Sequence, residues 1–118
     1  MYTNKSIPFI IAEIVREKVF NLTEEEVPHS ITCITENIEN KKDSYVINVA
    51  IIVDRDSLKK IVIGKQGNKI KEIGIRSRHE LEELLGKKIY LDLFVKTIPK
   101  WRDREKYLQE FGYNDFLE

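Results

Sequence analysis

The chain has 118 residues, the size of one domain with a single hydrophobic core, and this length excludes a two-domain enzyme. No apolar run is long enough to span a bilayer or ordered like a signal peptide, and the single cysteine, Cys33, excludes an internal disulfide and a cysteine metal cage. The formal net charge of zero excludes a uniformly basic protein. We therefore expect one domain in a reducing, cytoplasmic setting, without a metal or other cofactor.

The first half of the chain predicts a helix followed by two strands. Ser6 can cap a helix whose apolar residues recur at helical spacing, and this pattern fades near Asn21. From Ser30 to about Ile38 the apolar period changes to two, which is typical of a strand. After a polar turn, residues 45–53 are apolar at nearly every position, which indicates a central strand buried on both faces.

The second half predicts two helices and a final strand. Asp56 or Ser57 can start a short helix, and Asn68 can cap a longer one that Gly86 ends. Residues 89–95 alternate between inward and outward positions of a strand. The longer helix has an apolar stripe made of Ile70, Ile73, Ser77, Leu81, Leu84 and Leu85.

The order helix, strand, strand, helix, helix, strand predicts an α+β fold. We expect a three-stranded mixed sheet with residues 45–53 in the middle and the helices packed on one face. The polar turn makes the first two strands antiparallel, and a right-handed helical crossover makes the third strand parallel to the second. Residues 1–118 form one domain in this interpretation, in which residues 1–6 are a disordered or introduced start and residues 97–118 are a C-terminal tail that packs on the domain.

Positive charge is concentrated in one window of this neutral chain. Eight basic and only two acidic residues lie between Arg55 and Arg78, so the window carries a net charge of +6. A local positive surface of this kind can attract a polyanion. A solvated helix face would give the same pattern.

Two glycines separate the two predicted helices in the segment Gly64-Lys65-Gln66-Gly67. The N-terminus of the second helix favours an anion, and a glycine without a Cβ lets a phosphate backbone come close. Lys65 adds a cation, and Gln66 can hydrogen-bond. We expect Val62, Ile63, Ile70 and Ile73 to form an apolar wall for unstacked bases. The candidate RNA-binding residues are therefore Val62, Ile63, Gly64, Lys65, Gln66, Gly67, Asn68, Lys69, Ile70, Lys71 and Ile73.

A glycine pair alone fits a plain helical corner equally well, but the pattern from Val62 to Ile70 in this order of elements resembles the type II KH domain. Residues 12–30, 59–96 and 101–113 also look like the C-terminal KH domain of Era-type GTPases. The particular features are Pro28-His29-Ser30 and Trp101 followed by Gly112-Tyr113. The resemblance implies that the GxxG loop clamps about four nucleotides of single-stranded RNA. It further implies a target near the 3′ end of the small-subunit ribosomal RNA and a role in ribosome assembly in a bacterium.

The chain departs from Era-type GTPases because nothing in it matches the phosphate-binding pattern G-x-x-x-x-G-K-[ST]. We therefore expect a KH domain cut from a longer protein, with Met1 added for expression and no GTPase activity of its own. A GTPase domain would precede it in the full-length protein. We expect a monomer without a transmembrane segment that associates with ribosomes or with a membrane surface.

Two other functions are compatible with the same residues. The loop could hold a mononucleotide in a small phosphate-handling enzyme, although no base, nucleophile or metal set accompanies it. The domain could instead bind another protein, such as its own GTPase half. In that case Val46, Ala50 and Ile52, on the sheet face opposite the helices, would be the docking surface.

Overall fold

A computed structural model of the chain describes residues 6–23, 30–104 and 106–107. The element order α-β-β-α-α-β is the predicted one and confirms the α+β fold. None of the described helices combines the length and the apolar composition needed to cross a bilayer. The elements are α1 (Ile7–Thr23), β1 (Ile31–Asn40), β2 (Ser44–Val53), α2 (Asp56–Ile63), α3 (Asn68–Leu85) and β3 (Lys88–Thr97), with short 3-10 turns at Lys65–Gly67 and Trp101–Asp103.

The three strands form one sheet in the order β1-β2-β3. β1 is antiparallel to β2, and a register shift between Thr35 and Asn37 marks a bulge in it. β2 is parallel to β3, as the helical crossover between them requires. The mixed sheet and its central strand are therefore those that the sequence predicts.

The main core lies between the sheet and the three helices. β2 contributes Ile47, Val49, Ile51 and Val53 to it, and none of these side chains is exposed. Alternate residues of a strand point to opposite faces, so this set defines the helix-covered face. Cys33 lies in the same core, as expected for a small apolar residue.

The helices begin and end close to the predicted residues, with one difference at the start of α3. Phe9 N donates to Ser6 Oγ at 3.4 Å, so Ser6 caps α1. Gly67, rather than Asn68, occupies the N-cap position of α3, because Gly67 has a φ of +74° and Asn68 is already helical. In the stripe of α3, Leu84 is 43% exposed. Leu84 lies about 60° around the helix from Leu81, to the side away from Leu85.

The C-terminal end of α3 is closed by contacts within the domain. Gly86 has a φ of +71°, and its N–H donates to Glu82 O at 2.9 Å. Ile89 N donates to the Glu82 carboxylate at 3.1 Å, and Lys87 Nζ donates to Lys41 O at 2.9 Å. The hydrogen bond from Ile89 holds the pKa of Glu82 below its usual value, with help from the charge of Arg78. This end of the helix is therefore tied to both the β1–β2 turn and β3.

Trp101 covers part of the opposite sheet face. It is 3% exposed and packs against Ala50 and Ile52, and its Nε1 donates to Ser30 O at 3.2 Å. Ala50 and Ile52 therefore do not form an open docking surface, because an indole ring already lies over them. The indole ring of Trp101 is buried against the sheet and is therefore not available for stacking on a base.

Four of the residues that suggested an Era-type domain lie outside the described residues, namely Pro28, His29, Gly112 and Tyr113.

Candidate nucleic-acid interface

The Gly64–Gly67 segment is a tight turn between α2 and α3. Gly64 N donates to Lys60 O at 2.9 Å and closes α2, while Gly67 N donates to Gly64 O at 3.1 Å. Gly64 has φ +77° and ψ 174°, a combination that side-chain-bearing residues rarely adopt. The sequence folds into a corner here because glycine accepts both conformations that the corner needs.

The two glycines are required for different reasons. A Cβ added to Gly64 would lie 2.6 Å from Lys69 Cβ and 2.9 Å from Lys69 N, so the first glycine allows the loop to close on α3. A Cβ added to Gly67 would have nothing within 4 Å among the described residues. The space beside Gly67 is therefore open to a ligand, whereas the space beside Gly64 is filled by the protein.

The tip of the loop presents exposed polar side chains on a strained backbone. Lys65 and Gln66 are both exposed. Gln66 has φ +55° and ψ 26°, the left-handed region that costs a residue with a Cβ about 1 kcal/mol or more. No side chain of a described residue caps the N-terminus of α3. The positive end of the helix dipole is consequently not screened by an acidic or hydroxyl cap.

Several of the basic residues between Arg55 and Arg78 already have partners. Arg76 pairs with Glu72 at 2.8 Å on α3, and Arg78 with Glu82 at 3.4 Å. The lysines nearest the loop have no such partners among the described residues. Lys60, Lys65 and Lys71 are exposed, and none of them forms an ion pair within the described residues. The positive surface available to an anion is therefore centred on these lysines rather than spread over the whole window.

The structure brings the predicted site residues together along one corner, but at different depths. Asn68, like Lys65, Gln66 and Lys71, is exposed. Ile63 and Ile70 are half-buried. Val62 and Ile73 are 0% exposed and belong to the main core, so their side chains do not form the apolar wall that the sequence suggested. They support the loop from beneath, because helical periodicity turns them toward α1 and the sheet.

An apolar cleft does lie beside the loop, between α3 and β3, with a volume of about 310 Å³. A Cβ added to Gly74 would stand 3.7 Å from Leu93 Cδ1, so this glycine keeps the cleft open at the helix surface. Only two residues of this cleft, Ile70 and Lys71, were named from the sequence. Gly74 was a signal for the rest, because a glycine inside a helix destabilises it by about 1 kcal/mol relative to alanine and often has a packing or functional reason. The lining residues are Ile70, Lys71, Gly74, Ile75, Arg78, Leu91 and Leu93.

Comparison with known sequences identifies the family. A KH domain model matches residues 26–102. The chain is 51% identical over 116 residues to GTPase Era of Fusobacterium nucleatum subsp. nucleatum, covering 96% of this chain and 38% of that protein. It is 46% identical over 108 residues to GTPase Era of Leuconostoc citreum, covering 91% of this chain and 36% of that protein. The chain thus spans little more than a third of the length of these relatives.

Solved structures give the same result. Era of Aquifex aeolicus bound to GDP and AlF4⁻ superposes with a TM-score of 0.89 at 48% identity, over 93% of this chain and 38% of that one. Era in complex with MgGDPNP and nucleotides 1506–1542 of 16S ribosomal RNA superposes with the same score and identity, over 93% of this chain and 37% of that one.

The matched region is a KH domain, which is a binding domain and not a catalytic one, in agreement with the prediction that this chain is not itself an enzyme. The chain therefore belongs to the KH domain family, and within that family it is similar to the C-terminal KH domain of bacterial Era-type GTPases.

Proposed function

We propose that this domain binds single-stranded RNA with the Gly64–Gly67 loop and the cleft between α3 and β3. The RNA is the 3′ region of the small-subunit ribosomal RNA, and the domain serves ribosome assembly as part of an Era-type GTPase. The observation that carries the proposal is the open space beside Gly67 next to an apolar cleft. The solved Era complex with nucleotides of 16S ribosomal RNA, 48% identical to this chain, supports the choice of RNA.

The loop supplies the contact with the RNA backbone. A phosphate that approaches Gly67 meets the positive end of the α3 dipole, and no Cβ holds it away. The N–H groups of Gly67 and Asn68 already donate to Gly64 O and Lys65 O, so the attraction at this point is electrostatic. Lys65 is exposed at the same turn and adds a mobile positive charge. These interactions recognise phosphate and not base identity, so the loop fixes the position of the strand.

The cleft supplies the contact with the bases. Ile70, Ile75, Leu91 and Leu93 give it apolar sides, and Gly74 gives it depth. Unstacked bases of a single strand can lie against such surfaces, whereas the bases of a duplex are already stacked on one another. Lys71 lines the same cleft and offers positive charge to the sugar–phosphate backbone, whereas Arg78 in this lining is already paired with Glu82.

The experiment makes the tip of the loop acidic and compares this change with a matched change at the far end of the domain. In the test variant, Lys65→Asp is combined with Gln66→Asp. In the control, Lys42→Asp is combined with Asn40→Asp in the exposed β1–β2 turn, which changes the net charge by the same amount. The Asp at position 40 can still accept the hydrogen bond that Lys87 donates to Asn40 Oδ1. The α3 helix of 18 residues, about 27 Å long, separates the two sites.

Fluorescence anisotropy with a labelled oligoribonucleotide of the 3′ ribosomal sequence measures the dissociation constant. We expect the loop variant to bind at least about tenfold more weakly, because phosphate contacts supply most of the affinity. The control should bind within about twofold of the parent, since charges beyond a Debye length are largely screened. Equal weakening in both variants would show that binding depends on overall charge, and unchanged binding by the loop variant would exclude the loop as the clamp.

A further inference from the structure

Lys69 differs from the other lysines beside the loop because its ammonium group has a partner inside the protein. Lys69 Nζ donates to Leu22 O at 3.0 Å, and the side chain is half-buried. Leu22 belongs to the last turn of α1, 47 residues earlier in the chain. The hydrogen bond therefore joins the C-terminus of α1 to the first turn of α3.

The C-terminal end of α1 is a favourable place for the positive charge of Lys69. The last turn of α1 has no basic residue of its own, and its carbonyl groups carry the negative end of the helix dipole. Thr23 Oγ1 donates to Val19 O at 2.8 Å, and Lys69 Nζ donates to the carbonyl oxygen of Leu22. Lys69 thus satisfies a helix-terminal acceptor that the described part of α1 leaves unpaired.

The backbone of Lys69 also fixes the loop. Its N and Cβ atoms occupy the volume next to Gly64, where a Cβ on Gly64 would meet them at 2.9 and 2.6 Å. One residue therefore contacts the first glycine of the loop with its backbone and α1 with its ammonium group. Lys65 has no such contact within the described residues, and it is exposed at the loop tip.

We propose that Lys69 is a positioning residue, which holds the GxxG loop against the end of α1, and is not a ligand of the RNA phosphates. The inference rests on the proposed RNA-binding function where it concerns affinity. It assigns the phosphate contacts of this corner to Lys65 and to the positive end of the α3 dipole beside Gly67. It also makes the geometry of the RNA-binding loop dependent on the end of α1.

A matched pair of substitutions separates the two roles. Lys69→Met and Lys65→Met each remove one positive charge and keep an unbranched side chain. The dissociation constant of each variant is measured with the 3′ ribosomal oligoribonucleotide at several potassium chloride concentrations. The slope of log affinity against log salt is negative, and each lost phosphate contact with single-stranded RNA makes it shallower by about 0.7.

We expect Lys65→Met to make the salt slope shallower by about 0.7, and Lys69→Met to leave the slope at the parental value. Lys69→Met should nevertheless bind about tenfold more weakly at every salt concentration, because a hydrogen bond from a charged donor no longer holds the loop. Lys69→Arg can donate to the same carbonyl and should restore most of the affinity. A slope that becomes equally shallower in Lys69→Met and in Lys65→Met would overturn the proposal.

A second measurement needs no RNA. Amide hydrogen exchange and NMR chemical shifts of Gly64, Gly67 and Leu22 are compared in the parent, Lys69→Met and Lys69→Arg. We expect faster exchange and shifted signals in Lys69→Met alone, and signals that match the parent would overturn the positioning role. If the parent fails to bind the oligoribonucleotide, the proposed function fails, while this measurement still decides the role of Lys69. Should Lys69→Met not fold, as judged by circular dichroism, Lys69→Gln takes its place.

Discussion

The two ends of α3 are both marked by glycine, yet they have different roles. At the C-terminal end, Gly86 turns the chain and the neighbouring polar groups find partners in the domain, since Glu82 accepts from Ile89 N and Lys87 donates to Lys41 O. At the N-terminal end, Gly64 and Gly67 turn the chain, and Lys65 and Gln66 stay exposed.

The difference teaches how to separate a structural corner from a binding corner. A glycine with a positive φ occurs at both ends and is therefore not the distinguishing feature. What distinguishes the N-terminal end is a helix terminus without a side-chain cap among the described residues, next to exposed lysines and an apolar cleft. The N-terminus of a helix without such a cap can attract an anionic ligand. A helix end whose polar groups are already hydrogen-bonded within the domain cannot.

The largest change in the free energy of unfolding is expected for Gly64→Ala. The added Cβ would overlap Lys69 and would occupy a backbone conformation that suits only glycine. Together these effects should destabilise the domain by about 3 kcal/mol. Urea unfolding followed by circular dichroism measures this loss. A loss similar to that of Gly86→Ala would show that close approach to Lys69 is not the reason for the glycine.

Gly86→Ala should have a smaller effect and should act on stability alone. Gly86 has a left-handed backbone, but an added Cβ would have nothing within 4 Å among the described residues. We expect a loss of about 1 kcal/mol, the usual cost of alanine in this conformation. RNA affinity should stay within about twofold of the parent, since the proposed phosphate contacts lie at the other end of α3. Loss of RNA binding by this variant would contradict the proposal that RNA binds at the N-terminal end of α3.

Gly67→Asn sharpens the comparison because it should separate binding from stability. Asparagine tolerates the left-handed conformation, and the space around Gly67 is open. The free energy of unfolding should therefore change by less than about 0.5 kcal/mol. RNA should bind at least about tenfold more weakly, because the new side chain occupies the position proposed for the phosphate. Parallel urea unfolding and anisotropy measurements test both halves of this expectation.

Glu82→Gln should have the smallest effect, which appears only as a change in pH dependence. The pKa of Glu82 is lowered in the folded state by the hydrogen bond from Ile89 N and by Arg78. A lowered pKa stabilises the fold above the unfolded value of about 4.3 and ceases to do so as the pH falls through the folded value. Urea unfolding between about pH 7 and pH 3 should therefore show a shallower acid decline in the variant than in the parent. Identical acid declines would contradict the role of Glu82 at this helix end.

Local patterns were sufficient to predict the order of the elements and the place of the loop. The alternation in β1, the continuous apolar run of β2 and the helical spacing in α3 each reflect interactions over a few residues. The glycine corner is also local, because it depends on backbone conformations that glycine adopts readily. The KH resemblance followed from these patterns together with particular residues.

Other features of the site depend on contacts between residues far apart in the sequence, which the periodicity of the sequence does not reveal. Val62 and Ile73 lie next to the loop in sequence and were expected to face the RNA, but both are in the core. Ala50 and Ile52 were expected on an open face, but Trp101, some fifty residues later, covers them. In each case the exposed or buried state depends on an element far away in the sequence.

The sequence by itself determined that this chain folds into a KH domain with a glycine loop between two helices, because helix, strand and turn signals act over short distances. Only the tertiary structure decided which residues at this corner are exposed and which are buried. It placed β3 beside Gly74 to form the cleft, and it placed Leu22 within hydrogen-bond distance of Lys69. The physical reason is that burial and hydrogen-bond partners are set by long-range packing, which a local pattern does not specify.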